Sequence, residues 1–435
     1  MSIKTRRLLF YSFVFLFLII GTVLVLNSRG YHLDWKTLQI KATGGIYINS
    51  TPTKAQIFIE DESIKNQTGL LQRGTLIDSL ASDGYRIRVE NQGYSTWEKI
   101  VPVQPGTVSV FDAIVLIPDE EPGLVATSTA RVMAASGRHL ALETGGGVSL
   151  NGDTVFGHEI ISITESGSLL TRSTATGNYY LANAFEPDEN LNLTLTFNNL
   201  KDELLGLPGA VEIKKILPYP YNDRRFIVST ERAIYLLDTE RPSIEQIALG
   251  VSDFYIQGQN SVAWVEDSSI KLFNLPLRTN NLAVNLGELS TDGITDIKNT
   301  SGGWLVLDSS GRLLLYSGSE APQVLANEVI DFKLSPNGEY IAAVRTSGPM
   351  LVYDFLEEVA IEISTPSPAQ QSAWFKDSAH LLVLAGDNLI FTEISAISPL
   401  NQVVLSRGVY SFAYTPQATF VQFSTPHGIF QKRIF

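Results

Sequence analysis

Five histidines, His32, His139, His158, His380 and His427, are the residues best suited to acid–base or metal chemistry, and their spacing offers neither. None falls in a His-x-x-x-His or comparable metal-ligand spacing. His380 and His427, the latter in Thr425-Pro-His-Gly428, are expected to be solvated turn residues rather than ligands. No Gly-x-Ser-x-Gly nucleophile elbow occurs, which disfavours a hydrolase of that type. Gly145-Gly-Gly147 could cradle a phosphate, but no Lys-Ser/Thr follows and no helix begins there, so a hairpin turn is the expectation. Asp267-Ser-Ser269 and Asp308-Ser-Ser-Gly311 read as hairpin turns, since neither has the alternating Asp/Asn ligands and distal Glu of a calcium loop. No catalytic, metal-binding or cofactor-binding residue is therefore assigned, and no cofactor is implied. Trp264, Trp304 and Trp374 are expected to pack in cores rather than to present a ligand platform.

The elements that carry these residues begin with Leu8 to Leu26, 19 residues without a charge. At about 1.5 Å rise per residue they make a helix just long enough to cross a bilayer's hydrocarbon core. Lys4, Arg6 and Arg7 precede the run, and Asn27-Ser28-Arg29-Gly30 follows it without a small-x-small cleavage pattern. The run is expected to remain as an anchor, with residues 1–7 as a cytoplasmic tail. Arg29, Lys36 and Lys41 follow the helix closely and nearly balance the positive-inside count. The tighter basic cluster at the tail favours a cytoplasmic amino terminus and an extracytoplasmic body, with Tyr31 and Trp35 suited to the outer headgroup zone.

The 435 residues contain no cysteine, which excludes a disulfide framework and a lipid-modified cysteine. Residues 1–30 hold four basic and no acidic side chains, leaving 28 Lys+Arg against 45 Asp+Glu and a net charge of −17 on the remainder. Such a body lacks the positive footprint that nucleic-acid binding requires, and it would not lie flat on anionic lipid.

Past the anchor, short runs of β-branched and aromatic residues alternate with Gly, Pro, Asn and Asp, so the body reads as all-β. Lys201 to Leu207 is expected to form no more than a turn of helix. Pro118-Asp-Glu-Glu-Pro-Gly123 and Ala126-Thr-Ser-Thr-Ala130 break the alternation and mark a boundary. The organisation expected is a juxtamembrane linker at 27–42, a β-sandwich at 43–118, a linker at 119–130 and a repeat domain at 131–435.

In the sandwich, about six strands are expected. Ile46 and Ile48 share one strand face, Ile57 and Ile59 another, and Arg86-Ile-Arg-Val89 alternates wet and dry. The order Gly45-Ile-Tyr-Ile-Asn-Ser50, Pro52-Thr-Lys-Ala55, Ile57-Phe-Ile59, Gly84-Tyr-Arg-Ile-Arg-Val89, Gly93-Tyr94-Ser-Thr-Trp97 and Val101-Pro-Val103 resembles the PEGA domain of bacterial and archaeal surface proteins. The eponymous tetrapeptide is reduced to Pro52 and Ala55, and the usual Gly-x-Thr-Pro turn is replaced by Gln67-Thr-Gly69. The resemblance implies a non-catalytic module beside a membrane anchor.

The repeat is clearest at Ile330-Asp-Phe-Lys-Leu-Ser-Pro-Asn-Gly-Glu-Tyr-Ile-Ala-Ala-Val344 followed by Met350-Leu-Val-Tyr-Asp354. The same cadence begins near Arg131, Ile160, Ile213, Asp253, Thr295, Ser372 and Tyr410. Steps of about 35 to 42 residues suit a four-stranded propeller blade. Ser335-Pro-Asn-Gly-Glu-Tyr-Ile341 and Trp374-Phe-Lys-Asp-Ser-Ala-His380-Leu resemble the turns of WD-like propellers of the TolB type. Seven or eight blades are expected, with Phe430-Gln-Lys-Arg-Ile-Phe435 pairing with the first strand to close the ring.

The fold class expected is thus all-β: one transmembrane helix, a PEGA-like sandwich, then a seven- or eight-bladed propeller. The function expected is recognition or scaffolding at the cell envelope. Its partners would be the membrane, through the single-pass anchor, and an envelope protein or cell-wall polymer, with no nucleic acid. A propeller hydrolase acting on peptides or glycans is the alternative, and it would need two carboxylates facing one central cleft.

Overall fold

The structure, a computed structural model, describes every residue except 1–2, 29–30, 35–38, 70–71, 137–138, 165, 221, 288–292, 319–320 and 417. Arg29, Trp35 and Lys36 lie outside the described residues, as do the side chains of His32 and Lys41. An apolar run with no polar stripe has no reason to stop coiling and no face to bury. It forms α1, Ile3–Ser28, whose span Thr5–Leu26 is long and apolar enough to cross a membrane and is unburied within the protein.

Past α1 the chain divides into two units, residues 1–120 with 397–401 and 434–435, and residues 121–396 with 402–433. The first contains two four-stranded sheets, and seven of the eight strands lie in or reach into residues 43–118, where about six were expected. One joins Gln39–Thr51 to Thr75–Ala81 and, in parallel, to Val108–Val115; its fourth strand, Tyr31–Asp34, pairs with residues 39–42, inside the stretch expected to be a linker. The other runs Glu62–Ile64, Gln56–Ile59, Gly84–Glu90, Trp97–Pro102. Alternation places the dry face as expected: Ile46, Ile48, Ile57, Ile59, Ile87 and Val89 are buried in one core with Trp97. Trp97 meets Phe111 edge-on at 5.4 Å, whereas Val108 and Val110 stay exposed.

The second unit is an eight-bladed β-propeller. Its antiparallel sheets span 132–155, 159–192, 215–249, 255–285, 294–326, 329–363 and 369–406 (blades 1 to 7), and 411–433 with 123–126 (blade 8). Every blade begins within three residues of its expected start. Each blade buries one sheet face against the next, as in the cluster joining Leu305, Leu313 and Leu315 of blade 5 to Phe332, Ile341 and Ala343 of blade 6. This stacking removes the hydrophobic strand faces from water all round the ring.

Gly123–Ala126, from the stretch expected to link the domains, pairs with Gly428–Arg433 and supplies the outermost strand of blade 8. The ring is therefore closed by three carboxy-terminal strands and one amino-terminal strand. Residues 429–431 pair with this added outer strand, not with the first strand of blade 1. Ala130 N donates to Ser424 Oγ at 2.9 Å, and Met133 and Leu142 of blade 1 share a core with Ala413 and Ile429 of blade 8.

One expectation is overturned. Lys201 to Leu207 is not an isolated turn; it ends a 13-residue helix, α2, Leu193–Leu205, between blades 2 and 3. The run Leu193-Thr-Leu-Thr-Phe197 imitates strand alternation, but Leu193 and Phe197, one helical turn apart, are the buried pair. Asn192 Oδ1 caps the first turn by accepting from Leu195 N at 2.9 Å, and Gly206 at φ 64° ends the helix. The buried Lys201 Nζ donates to Leu207 O, to Gly209 O at 2.7 Å and to Asp202 Oδ1 at 2.8 Å, pinning the loop that returns to blade 3.

Candidate functional site

The first strands of neighbouring blades face one another, those of blades 3 to 7 carry or adjoin a row of polar groups, and a recurrent irregularity sets the direction of several. Blades 5, 6 and 7 each hold a register shift there, between Ile294 and Asp296, Val329 and Asp331, and Ala369 and Gln371. A bulge adds one residue and re-aims the side chains beyond it. The added residues Thr295, Ile330 and Gln370 are exposed, while Asp296, Asp331 and Gln371, the next in line, are half-buried.

Two carboxylates lie just past this bulge, each with a lysine two residues on. Asp296 and Lys298 are 3.9 Å apart, and Asp331 and Lys333 are 3.7 Å apart. One blade earlier Lys215 Nζ meets Asp253 Oδ1 at 2.8 Å, and Tyr255 donates its hydroxyl proton to Asp253 Oδ2 at 3.1 Å. Three lysines thus balance three aspartates. Burial pushes the Asp296 carboxyl up from its ordinary value; Lys298 and Lys215 pull it down, and Asp331 adds to the rise. Burial, reinforced by the Asp253 charge, pushes the Tyr255 hydroxyl up, so it stays a neutral donor.

Lys215 and Lys333, with Gln257, Gln371 and Trp374 nearby, are committed to the neighbouring blade's backbone. Lys215 Nζ donates to Phe254 O at 2.7 Å, and Lys333 Nζ to Ser372 O at 2.9 Å. Trp374 Nε1 returns a bond to Lys333 O at 2.8 Å. Gln257 donates to Ile297 O at 2.9 Å and accepts from Asn299 N at 2.8 Å. Gln371 donates to Phe412 O at 2.9 Å. Each tie satisfies an inner-strand backbone group that would otherwise face the seam between two sheets. The belt therefore holds the ring and presents a charge-compensated rim. Its closest approach to acid–base chemistry is the coupling of Asp296 to Asp331. Among the described residues no group of three His, Cys, Asp or Glu side chains is placed to hold a metal ion.

The other residues weighed from sequence lie elsewhere. His380 is a correction: it is not a solvated turn residue but a buried one, opening the strand His380–Ala385. Its Nδ1 is 2.8 Å from Asp377 Oδ2, and its ring stacks on Phe391 at 4.8 Å. The Asp377 carboxylate also accepts from Ala379 N and His380 N, so the pair closes a hairpin inside blade 7. His427 is exposed in a turn, its N–H donating to Thr425 Oγ1 at 3.1 Å. Gly145 and Gly146 form the turn of a hairpin. His139 Nδ1 contacts Asn151 Nδ2 at 3.0 Å, and His158 donates its backbone N–H to Arg172 O. Asp267 and Ser268 make a hairpin turn with φ of 49° and 54°. Trp264, Trp304 and Trp374 are buried between sheets.

Asp308 is more than a turn former. Burial alone would raise its carboxyl, but bonds from Ser310 Oγ, Arg312 N and Arg312 Nε hold it below its ordinary value. Asp238 is held down in the same way by Arg241 N, Arg225 Nε and Glu240 N. The inner belt was not singled out from sequence, although Asp296-Ile-Lys298 and Asp331-Phe-Lys333 repeat one motif at a separation of one blade.

Among solved structures the chain is similar to the C-terminal WD40 domain of Sif2, with 9% identity over 73% of this chain and 99% of that one and a TM-score of 0.47. It is also similar to the computationally designed Ika8 protein, at 11% identity over 71% and 97% with a TM-score of 0.47. A third is Sqt1 of Saccharomyces cerevisiae, at 13% identity over 72% and 98% with a TM-score of 0.46. No protein-family model and no curated protein matches the chain.

Proposed function

We propose that the protein is a single-pass, membrane-anchored binding or scaffolding protein of the cell envelope, in which a PEGA-like sandwich serves as a stalk and the propeller recognises a protein or cell-wall polymer. The observation that carries this reading is the inner belt. Lys215, Lys333, Gln257 and Gln371 are tied to backbone carbonyls of adjacent blades, so they maintain a shaped surface rather than converge on a reacting atom. Recognition needs a fixed surface; catalysis needs groups free to move protons. The uncharged run Leu8 to Leu26 within α1 supports anchoring, the basic cluster Lys4, Arg6 and Arg7 supports a cytoplasmic amino terminus, and the motifs running from Gly45 to Val103 support the stalk.

The test is to purify the full chain from membranes with its bound partner and compare it with an Ile330→Arg variant, which places a charge on the exposed bulge beside Asp331. Loss of the partner from the variant, with the melting temperature kept, supports rim recognition. Equal retention by both would move recognition away from the rim.

One observation favours a second reading, a hydrolase of peptides or glycans: the raised Asp296 carboxyl beside Asp331 is the kind of pair in which one acid stays protonated. Turnover of peptide or glycan substrates that disappears in Asp296→Asn would establish it in place of the binding reading.

A further inference from the structure

A second candidate site lies away from the belt, at the outer seam where blades 7 and 8 meet. A cleft of about 430 Å³ opens there, within the range that small-molecule sites occupy. Its floor is apolar, formed by Leu405, Phe423 and Phe430; the two phenyl rings stack at 6.1 Å with 19° between planes. Its rim comes from two separate loops. Arg407 stands beside Gly408, and a side chain at 408 would meet Pro426 Cδ at 4.0 Å, so the Arg407 loop lies against the Pro426-His427 turn. That turn is fixed by Thr425 Oγ1, which accepts from His427 N and donates to Gly428 O. Glu121, at the lead-in to the closing strand, lines the same cleft.

We infer that this cleft binds a hydrophobic monocarboxylate, either as a free acid or as the carboxy-terminal residue of a polypeptide. The partly exposed Phe430 ring, backed by the buried Phe423 and Leu405, takes the apolar body, with burial supplying the driving force. Arg407 offers a planar fork for the carboxylate, and the His427 ring adds a donor when one of its nitrogens carries a proton. Glu121 disfavours a second negative charge and so selects against dicarboxylates. Because Phe430 and the 425–428 turn belong to the carboxy-terminal strands while Glu121 and Pro122 lead into Gly123–Ala126, a ligand here spans both sides of the ring closure. Binding to the closed form alone raises the melting temperature by mass action.

The experiment uses the full chain in detergent micelles and two probes, 3-phenylpropionate and the tripeptide Ala-Ala-Phe, each read by calorimetric titration and by melting temperature. The amidated tripeptide and succinate serve as controls. Saturable binding of either probe with a raised melting temperature, and none by the amidated peptide or succinate, is the expected result; which probe binds identifies the source of the carboxylate. Arg407→Gln should weaken it at least about tenfold, the scale of one charge-assisted hydrogen bond, and Ser406→Trp should fill the cleft and abolish it. Both substitutions are at the surface, so an unchanged melting temperature without probe certifies folding. No binding by either probe overturns the inference, as does binding that survives amidation or Arg407→Gln.

Discussion

Gly428 opens the last strand of the chain directly against Ala126 of the amino-terminal closing strand. At φ 133° a Cβ on residue 428 would press into the Ala126 carbonyl oxygen and stand 3.1 Å from Leu124 Cδ1. Ring closure therefore requires glycine here twice over, for the backbone conformation and for the approach of the two strands.

Gly428→Ala should consequently destabilise the propeller by about 1–3 kcal/mol or more, combining backbone strain with a displaced strand. Thermal unfolding of the full chain reads this directly. The same substitution at Gly318, where no atom lies within 4 Å of the added Cβ, isolates the conformational part, since its φ of 80° is also left-handed. Equal losses at the two sites would show that the closing strand does not press on residue 428.

Asp308 and Asp238 should make the propeller acid-sensitive. Their carboxyls are held below the ordinary value when folded, so each contributes stability above the unfolded value, near pH 4, that is lost as pH falls through the lower folded value. Asp308→Ala should cost about 1–3 kcal/mol at neutral pH, because Ser310 and Arg312 lose a charged acceptor. It should also flatten the fall in stability below pH 4. Denaturant unfolding at a series of pH values checks both outcomes.

Asp296 has the opposite sign. Its folded value is raised, so its contribution is most favourable below the unfolded value and is lost as pH rises through the folded one. Asp296→Asn, which keeps the shape and removes the charge, should raise the melting temperature at neutral pH and leave it unchanged near pH 3. A neutral-pH melting temperature lowered by the substitution would mean that Lys298 and Lys215 outweigh burial.

How legible the molecule was depended on the range over which each feature is written. Sandwich alternation is local: Ile87 and Val89, alternating with Arg86 and Arg88, declare a half-buried strand without further context. Blade starts were legible because the repeat restates a local strand–turn–strand pattern. Helix α2 was not, because Leu193-Thr-Leu-Thr-Phe197 satisfies a strand's period as well as a helix's, and only packing of Leu193 and Phe197 against Tyr179 and Tyr235 decides between them. The burial of His380 is hidden for a related reason: it depends on Phe391, a residue of the following strand that no turn motif mentions. The closing strand Gly123–Ala126 looked like a linker because it is four residues long and its partner lies some 300 positions away. Asp296 and Asp331 become neighbours only once blades 5 and 6 stack, a contact that no local motif declares.

Site-specific photo-crosslinking in living cells tests recognition at the propeller rim most directly. A photoreactive residue would be placed in turn at Thr295, Ile330 and Gln370, the exposed bulge positions of blades 5, 6 and 7, and at Val359, exposed on the outer strand of blade 6. The account requires one shared envelope partner captured from the three rim positions and not from Val359. Capture from Val359 with none from the rim would contradict it.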